Sequence, residues 1–273
     1  METKILSGKR VSKSILTFLK EKTENKSIKK RTILYCDSPD ESNKAYINQI
    51  IRSAKKIDFI VDIVDAENIE KDIKEFNDDP EISGVMFMHP FRNFDEEMGL
   101  KLLYPKKDIE GRTENNLGKL FTGKQLFAPP TAEAVMEIIK YYNIKISGKR
   151  VVILGRSTTV GKPLAMMMLK KGVDATVTVC HSRTKDLDKI TKEADVLISA
   201  IGSPLFVKKE MIKENVIIID VGFNYLNGKY VGDVDYENIF NKASAITPVP
   251  GGVGSVTTAI LLRHIYESFE LGD

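Results

Sequence analysis

The residues with the clearest chemical potential lie between Arg150 and Pro163, in the stretch RVVILGRSTTVGKP. Val151, Val152, Ile153 and Leu154 form an unbroken apolar run, the pattern of a strand buried on both faces of a parallel sheet. Gly155 opens a turn, and Gly161 leads into an apolar stretch of helical spacing, Leu164 to Leu169. Strand, tight glycine turn and helix together bring backbone N–H groups and the positive end of a helix dipole to a place where a diphosphate can sit. The pattern departs from G-x-G-x-x-G because Ser157 stands at the middle glycine's place. A turn that merely ends a core strand would use the same residues.

The following strand bears on which dinucleotide this would be. A site for NAD commonly has an acid there to hold the ribose 2′-hydroxyl. Here Ala175–Cys180 runs into His181, Ser182 and Arg183, and Arg156 stands in the glycine turn itself. Two guanidiniums and a hydroxyl suit a 2′-phosphate and favour NADP; two solvated loop arginines are the bland alternative. A second glycine-rich stretch, TPVPGGVGSVT, carries Gly251, Gly252 and Gly254, which let backbone approach a ligand closely. Thr257 and a helix starting near Ser255 would add donors, and the flanking prolines favour a loop held in one shape.

The elements that must position these residues follow from periodicity. The chain has 273 residues, 42% hydrophobic and 29% charged, enough for one large or two ordinary α/β domains with a real core. A net charge of +3 without a basic block argues against a nucleic-acid partner, and no apolar run reaches the roughly 20 residues of a membrane span. The N-terminus reads without a signal peptide. With only Cys36 and Cys180, and three scattered histidines, the expectation is a cytoplasmic protein with neither a disulfide framework nor a metal site. Helices are expected at 8–21, from about 40 to 57, and at 69–76, 95–103, 132–142 and 256–269. Strands are expected at 32–36, 59–64, 84–88, 151–154, 175–180, 196–200, 216–221 and 243–246. Asn227-Gly228 reads as a hairpin turn, and 115–132, with its glycines and prolines, as a hinge. The alternation predicts parallel sheets in two units, 1–122 (with 255–273 packing back on it) and 123–254, with ligands at the strands' carboxyl ends in a cleft between them.

GRSTTVGKP, ITPVPGGVG, VIIIDVGFN and KYVGDVDY, in that order, resemble the methylenetetrahydrofolate dehydrogenase/cyclohydrolase family, and the likeness runs nearly end to end. The resemblance implies an N-terminal folate domain and a C-terminal Rossmann-type NADP domain. It implies oxidation of methylenetetrahydrofolate with NADP, hydrolysis of the product to 10-formyltetrahydrofolate, and a homodimer. Gly155, Arg156 and Ser157 match the family's phosphate turn. Ser182 matches the position near the 2′-phosphate, with Arg183 beside it, and Phe223 the position lining the nicotinamide. Gly251, Gly252 and Gly254 match the loop bordering folate and nicotinamide.

At the folate end the chain departs from the pattern. Tyr46 matches the family's tyrosine, but Ile50 stands at the position of the lysine one turn later, and Met88 at that of the lysine's glutamine partner. Glu110 replaces the pterin-binding aspartate, and Pro130 and Ala132 replace a cysteine and a proline. The paired loss is coherent, since a buried lysine without a polar partner is costly to desolvate. Hydride transfer needs chiefly that the donor carbon be held against the nicotinamide. Cyclohydrolysis needs water activated and protons moved. The resemblance therefore implies a dehydrogenase, with the hydrolytic half in doubt. A two-domain dehydrogenase on another small substrate, of the shikimate type, and a non-catalytic folate- or nucleotide-binding protein are the alternatives.

Overall fold

The first strand of the chain completes a sheet whose other members lie more than 140 residues away. In the computed structural model, which describes residues 2–24 and 30–271, β1 (Lys4–Ile5) pairs in parallel with a strand at Ala245–Ile246. Helix α1 (Gly8–Thr23) follows. By contact density the chain divides into two units: Met1–Lys13 with Pro129–Thr257, and Ser14–Ala128 with Thr258–Asp273. The start of the chain counts with Pro129–Thr257 because Lys4 and Leu6 donate their amides to the carbonyls of Ser244 and Ile246.

The unit beginning at Ser14 contains β2 (Arg31–Cys36), α2 (Glu41–Lys55), β3 (Ile60–Asp65), α3 (Ile69–Asp78), β4 (Ile82–Met88), α4 (Glu96–Leu102) and α5 (Glu114–Phe121). Its three strands form a parallel sheet in the order β3-β2-β4. Tyr35, Phe76 and Phe87 pack edge to face, with centroids 5.3 and 5.6 Å from Tyr35, over a core that includes Ile33, Ile69, Ile73 and Val85. Edge-to-face geometry is the favoured arrangement for such rings. Helices α2 and α3 begin at side-chain caps, Asp40 and Asn68, which accept from Asn43 N and Lys71 N. The expected hinge at 115–132 is in part a helix, α5, because Thr113 caps it and Leu120 buries its apolar face. Its Gly118 marks no break, and a Cβ there would meet no other element among the described residues.

The other unit continues with α6 (Pro130–Tyr141), β5 (Arg150–Leu154), α7 (Gly161–Leu169), β6 (Thr176–Cys180), α8 (Leu187–Glu193), β7 (Val196–Ser199), β8 (Ile217–Asp220), β9 (Asn224–Leu226), β10 (Lys229–Val231), α9 (Tyr236–Ile239), β11 (Ala245–Ile246) and α10 (Val253–Glu270), whose C-terminal part counts with the first-described unit. The sheet is parallel throughout, in the order β1-β11-β8-β7-β5-β6. Residues 151–154 of β5 are wholly buried, as a central strand requires. β9 and β10 form the hairpin at Asn227-Gly228, both of which take positive φ. Helix α10 starts three residues earlier than expected and includes Gly254 and Ser255. Cys36 and Cys180 are buried free thiols at the ends of β2 and β6. Among the described residues no helix is long and apolar enough to cross a membrane.

Candidate active-site residues

The glycine turn after β5 is shaped by backbone contacts that exclude side chains. Gly155 has φ +111°, and a Cβ there would lie 2.3 Å from the carbonyl oxygen of Ala200. A Cβ on Gly161 would lie 2.1 Å from the carbonyl of Gly155 itself, so the N-terminus of α7 is drawn against the turn. Ser157 contributes a local cap: its Oγ accepts from Val160 N at 3.1 Å, and its carbonyl accepts from Lys162 N. Arg156 and Ser157 are exposed. At the end of β6, His181 Nδ1 accepts from Arg183 N and Thr184 Oγ1 accepts from His181 N, so Ser182 and Arg183 stand exposed on a closed turn. Phe223 is 62% exposed and stacks on Tyr230 with centroids 4.5 Å apart.

The two aspartate-glycine motifs prove to be one interlocked structure. Asp220 accepts from the amides of Gly222, Asp233 and Val234. Asp233 accepts from Ile201, Gly202 and Ser203 amides and from the Ser199 and Asn224 side chains. A Cβ on Gly232 would sit 1.8 Å from Asp220 Oδ2, and one on Gly222 2.2 Å from Asp233 Oδ1. Burial pushes the Asp220 carboxyl up to about 7 against the pull of its N–H donors.

The three glycines of the PVPGGVG loop have different physical grounds. Gly251 needs its φ of +102°, and its carbonyl accepts from Gly8 N. Gly252 is required by packing, since a Cβ would meet the carbonyl of Pro248 at 2.4 Å. Gly254 is exposed, and a methyl there would touch nothing in the chain. Thr257, expected to offer a donor, bonds back to the Val253 carbonyl of its own helix.

In the other unit, the loop 105–113 is pinned on three sides. Lys107 Nζ donates to the carbonyls of Phe76, Asn77 and Asp79 at the end of α3. Asp108 accepts from Arg112 N, Thr113 N and Asn116 Nδ2. His264 Nδ1 donates to the Ile109 carbonyl at 2.8 Å. The loop also covers the free edge of β4: Val85 N donates to Lys107 O, and Phe87 N to Glu110 Oε2 at 3.0 Å. Burial pushes the Glu110 carboxyl up to about 7; Arg112, 3.5 Å from the same oxygen, pulls the other way. Tyr46, on α2, is half-buried. Burial and then the Glu110 charge push its hydroxyl far above the usual range, while a hydrogen bond to Thr258 opposes them. Thr258 Oγ1 in turn accepts from Gln49 Nε2 at 3.1 Å. Ile50 and Met88 are buried, at 0% and 2% exposure.

Sequence reasoning passed over four residues linked to Tyr46 and Glu110 directly or through a neighbour: Thr258, His89, Glu96 and Arg112. Thr258 joins Tyr46 across more than 200 positions. His89 Nδ1 lies 2.7 Å from Glu96 Oε2, and Arg112 Nη1 2.6 Å from Glu96 Oε1. No spacing rule connects these residues in the sequence.

These halves fit the chain's relatives. Residues 129–272 match the model of the tetrahydrofolate dehydrogenase/cyclohydrolase NAD(P)-binding domain, and residues 6–110 that of the same family's catalytic domain. The bifunctional protein FolD of Kosmotoga olearia is 53% identical over 266 residues, covering 97% of this chain and 96% of its own. The crystal structure of the Campylobacter jejuni enzyme FolD, a methylenetetrahydrofolate dehydrogenase/cyclohydrolase, superposes with a TM-score of 0.92 at 34% identity, covering 98% of this chain and 99% of that one. The Trypanosoma brucei dehydrogenase-cyclohydrolase, solved with NADP cofactor and an inhibitor, gives 0.91 at 29% identity and covers 99% and 98%. The chain belongs to the tetrahydrofolate dehydrogenase/cyclohydrolase family and is an NAD(P)-dependent enzyme of it.

Proposed function

We propose that this enzyme oxidises methylenetetrahydrofolate to methenyltetrahydrofolate with NADP and hydrolyses the product only weakly. The observation that carries the dehydrogenase half is the tight turn between Gly155 and Gly161, where a Cβ on either glycine would strike backbone, so that the end of β5 and the N-terminus of α7 pack closely. Its fit to a dinucleotide diphosphate rests on the close approach that glycine permits at a helix N-terminus. Arg156, Ser182 and Arg183 would hold the 2′-phosphate, Ser157 the turn, and Phe223 would line the nicotinamide. Bound there, NADP would accept hydride from the substrate's methylene carbon.

Folate binding is assigned to the unit of Ser14–Ala128 and Thr258–Asp273, and the family resemblance adds Gly251, Gly252 and Gly254 as substrate-binding residues. Among the described residues both contacts of Glu110 use Oε2, and Oε1 accepts no hydrogen bond. An ionised Glu110 can therefore accept from a pterin amine and ring N–H. Tyr46 stays a neutral phenol and presents a hydroxyl rather than a charge. The weak hydrolysis rests on Ile50 and Met88, buried apolar groups that neither donate, accept nor relay a proton. General acid–base help typically contributes roughly 10²–10⁴-fold. The family's homodimer and a cytoplasmic setting go with this reading.

The test has two parts. NADPH absorbance on mixing with methylenetetrahydrofolate should show turnover, and none would defeat the dehydrogenase assignment. Added methenyltetrahydrofolate, in a buffer where its spontaneous hydrolysis is slow, should decay little faster with enzyme than without. Decay as fast as the dehydrogenase step would show that another group performs the lysine's work. In that case Ile50→Lys with Met88→Gln should add nothing; otherwise the double change should outdo Ile50→Lys alone.

A further inference from the structure

The loop that carries Glu110 also carries the only described cation in direct ionic contact with it. Arg112 Nη1 is 2.6 Å from Glu96 Oε1 and 3.5 Å from Glu110 Oε2, with both partners and the guanidinium itself about seven-eighths enclosed. Glu96 stands in the first turn of α4 and takes His89 Nδ1 on its other oxygen at 2.7 Å. His89 is half exposed, so the row of side chains His89–Glu96–Arg112–Glu110 runs from solvent to the buried carboxylate. The backbone of Arg112 is itself held, its amide donating to Asp108 at 3.1 Å. These groups come from three places: the end of β4, α4 and the loop 105–113. The remaining charged or titratable neighbours of Glu110 are Asp108 on its own loop and Tyr46 on α2; His264 on α10 binds the adjacent Ile109 carbonyl.

We infer that Arg112 is a positioning residue for folate recognition: divided between Glu96 and Glu110, it sets the pH at which Glu110 becomes the acceptor that the pterin needs. This rests on the proposed function for the role of Glu110, but not for the coupling itself. The physics is a competition. A cation near a carboxylate favours its ionised form, whereas burial and a second carboxylate favour the protonated one. Glu96 engages Arg112 at the shorter distance and so draws away part of the charge that Glu110 would otherwise feel. The two neighbours therefore act on Glu110 with opposite signs. Removing the cation should raise the pH at which Glu110 ionises, and neutralising Glu96 should lower it. A purely structural clamp would not give opposed shifts.

The experiment follows the Glu110 carboxyl directly by carbon NMR in the full-length enzyme without ligands, identified by its absence in Glu110→Gln. Arg112→Gln should move its midpoint up and Glu96→Gln should move it down, each by roughly one unit. Arg112→Lys, which keeps the charge, should stay near the parent. In steady-state assays the acid limb of kcat/KM for folate should move with the NMR midpoint. The change should fall on KM and leave kcat nearly unaltered. A midpoint that stays put in either neutral variant, or moves the same way in both, overturns the inference; if Arg112→Gln does not fold, Glu96→Gln decides alone. If the parent does not oxidise methylenetetrahydrofolate at all, the proposed function fails while the titration still answers the question about Arg112.

Discussion

The two units hold their buried carboxylates in opposite ways. In the nucleotide-binding unit, Asp220 and Asp233 are saturated with backbone amides, and two glycines are hollowed out to receive them. In the unit that carries most of the family's catalytic domain, Glu110 takes one amide and one guanidinium on a single oxygen. Burial raises both Asp220 and Glu110 to about 7. The same shift thus accompanies two different occupations. Asp220 has its lone pairs filled by the loops it ties together, which is a structural task; Glu110 keeps an oxygen in hand. A displaced carboxyl marks a functional site only when its acceptor capacity is still open.

The comparison breaks most visibly at Gly232. Gly232→Ala forces a methyl to within 1.8 Å of Asp220 Oδ2, among amides that cannot all retreat. Losing the loops tied to Asp220 should cost more than about 4 kcal/mol, the range of severe core lesions. The expected result is a large fall in the thermal midpoint with loss of NADP binding. A variant as stable as the parent would show that the interlock is decorative.

Glu110→Gln sharpens the contrast, because stability and activity should move apart. The amide keeps one acceptor but replaces the other with a donor facing pterin donors. About 2 kcal/mol of a charge-assisted contact corresponds to roughly 30-fold in kcat/KM for folate, with NADP affinity unchanged. The stability sign is the reverse. Glu110's folded value of about 7 lies above its ordinary 4.5, so the native state binds the extra proton. Its stabilisation is complete below about 4.5 and is lost as pH rises through about 7. The Gln variant should therefore gain on the parent across that window and melt higher at pH 8. Thermal scans at pH 4.5 and 8 check this; a gain that shrinks as pH rises would contradict it.

The smallest expected effect lies on the exposed rim of the nucleotide-binding unit. Arg156→Ala should weaken NADP by about 1–3 kcal/mol, the range for a hydrogen bond to a charged group, and NAD by less. Titration calorimetry with both dinucleotides measures it. Equal losses would mean that Arg156 only brushes the shared part of the cofactor.

Local spacing was enough to read most of the elements. The apolar run 151–154 lies in a central strand because burial on both faces demands continuous apolar residues. Asn227-Gly228 turns a hairpin because those residue types tolerate positive φ. These are properties of a few consecutive residues, and so was the Gly155 turn. The helix at Glu114–Phe121 escaped notice because Gly118 and Gly123 resemble breaks, while the deciding contribution, Thr113 as cap over a buried Leu120, is weak in sequence terms.

The surroundings of Glu110 could not be read in this way. The sequence alone identified the family, the glycine turn, and the replacement of a lysine and a glutamine by Ile50 and Met88. It carried no sign that Thr258 would meet Tyr46, that β1 would pair with β11, or that His89, Glu96 and Arg112 would line up behind one carboxylate. Such contacts join separate elements, and their geometry exists only once sheet order and loop anchoring have brought those elements together. Charge alone says that these side chains prefer a partner; which partner, at what distance and how far from water is settled by the fold, and with it the pH at which Glu110 ionises.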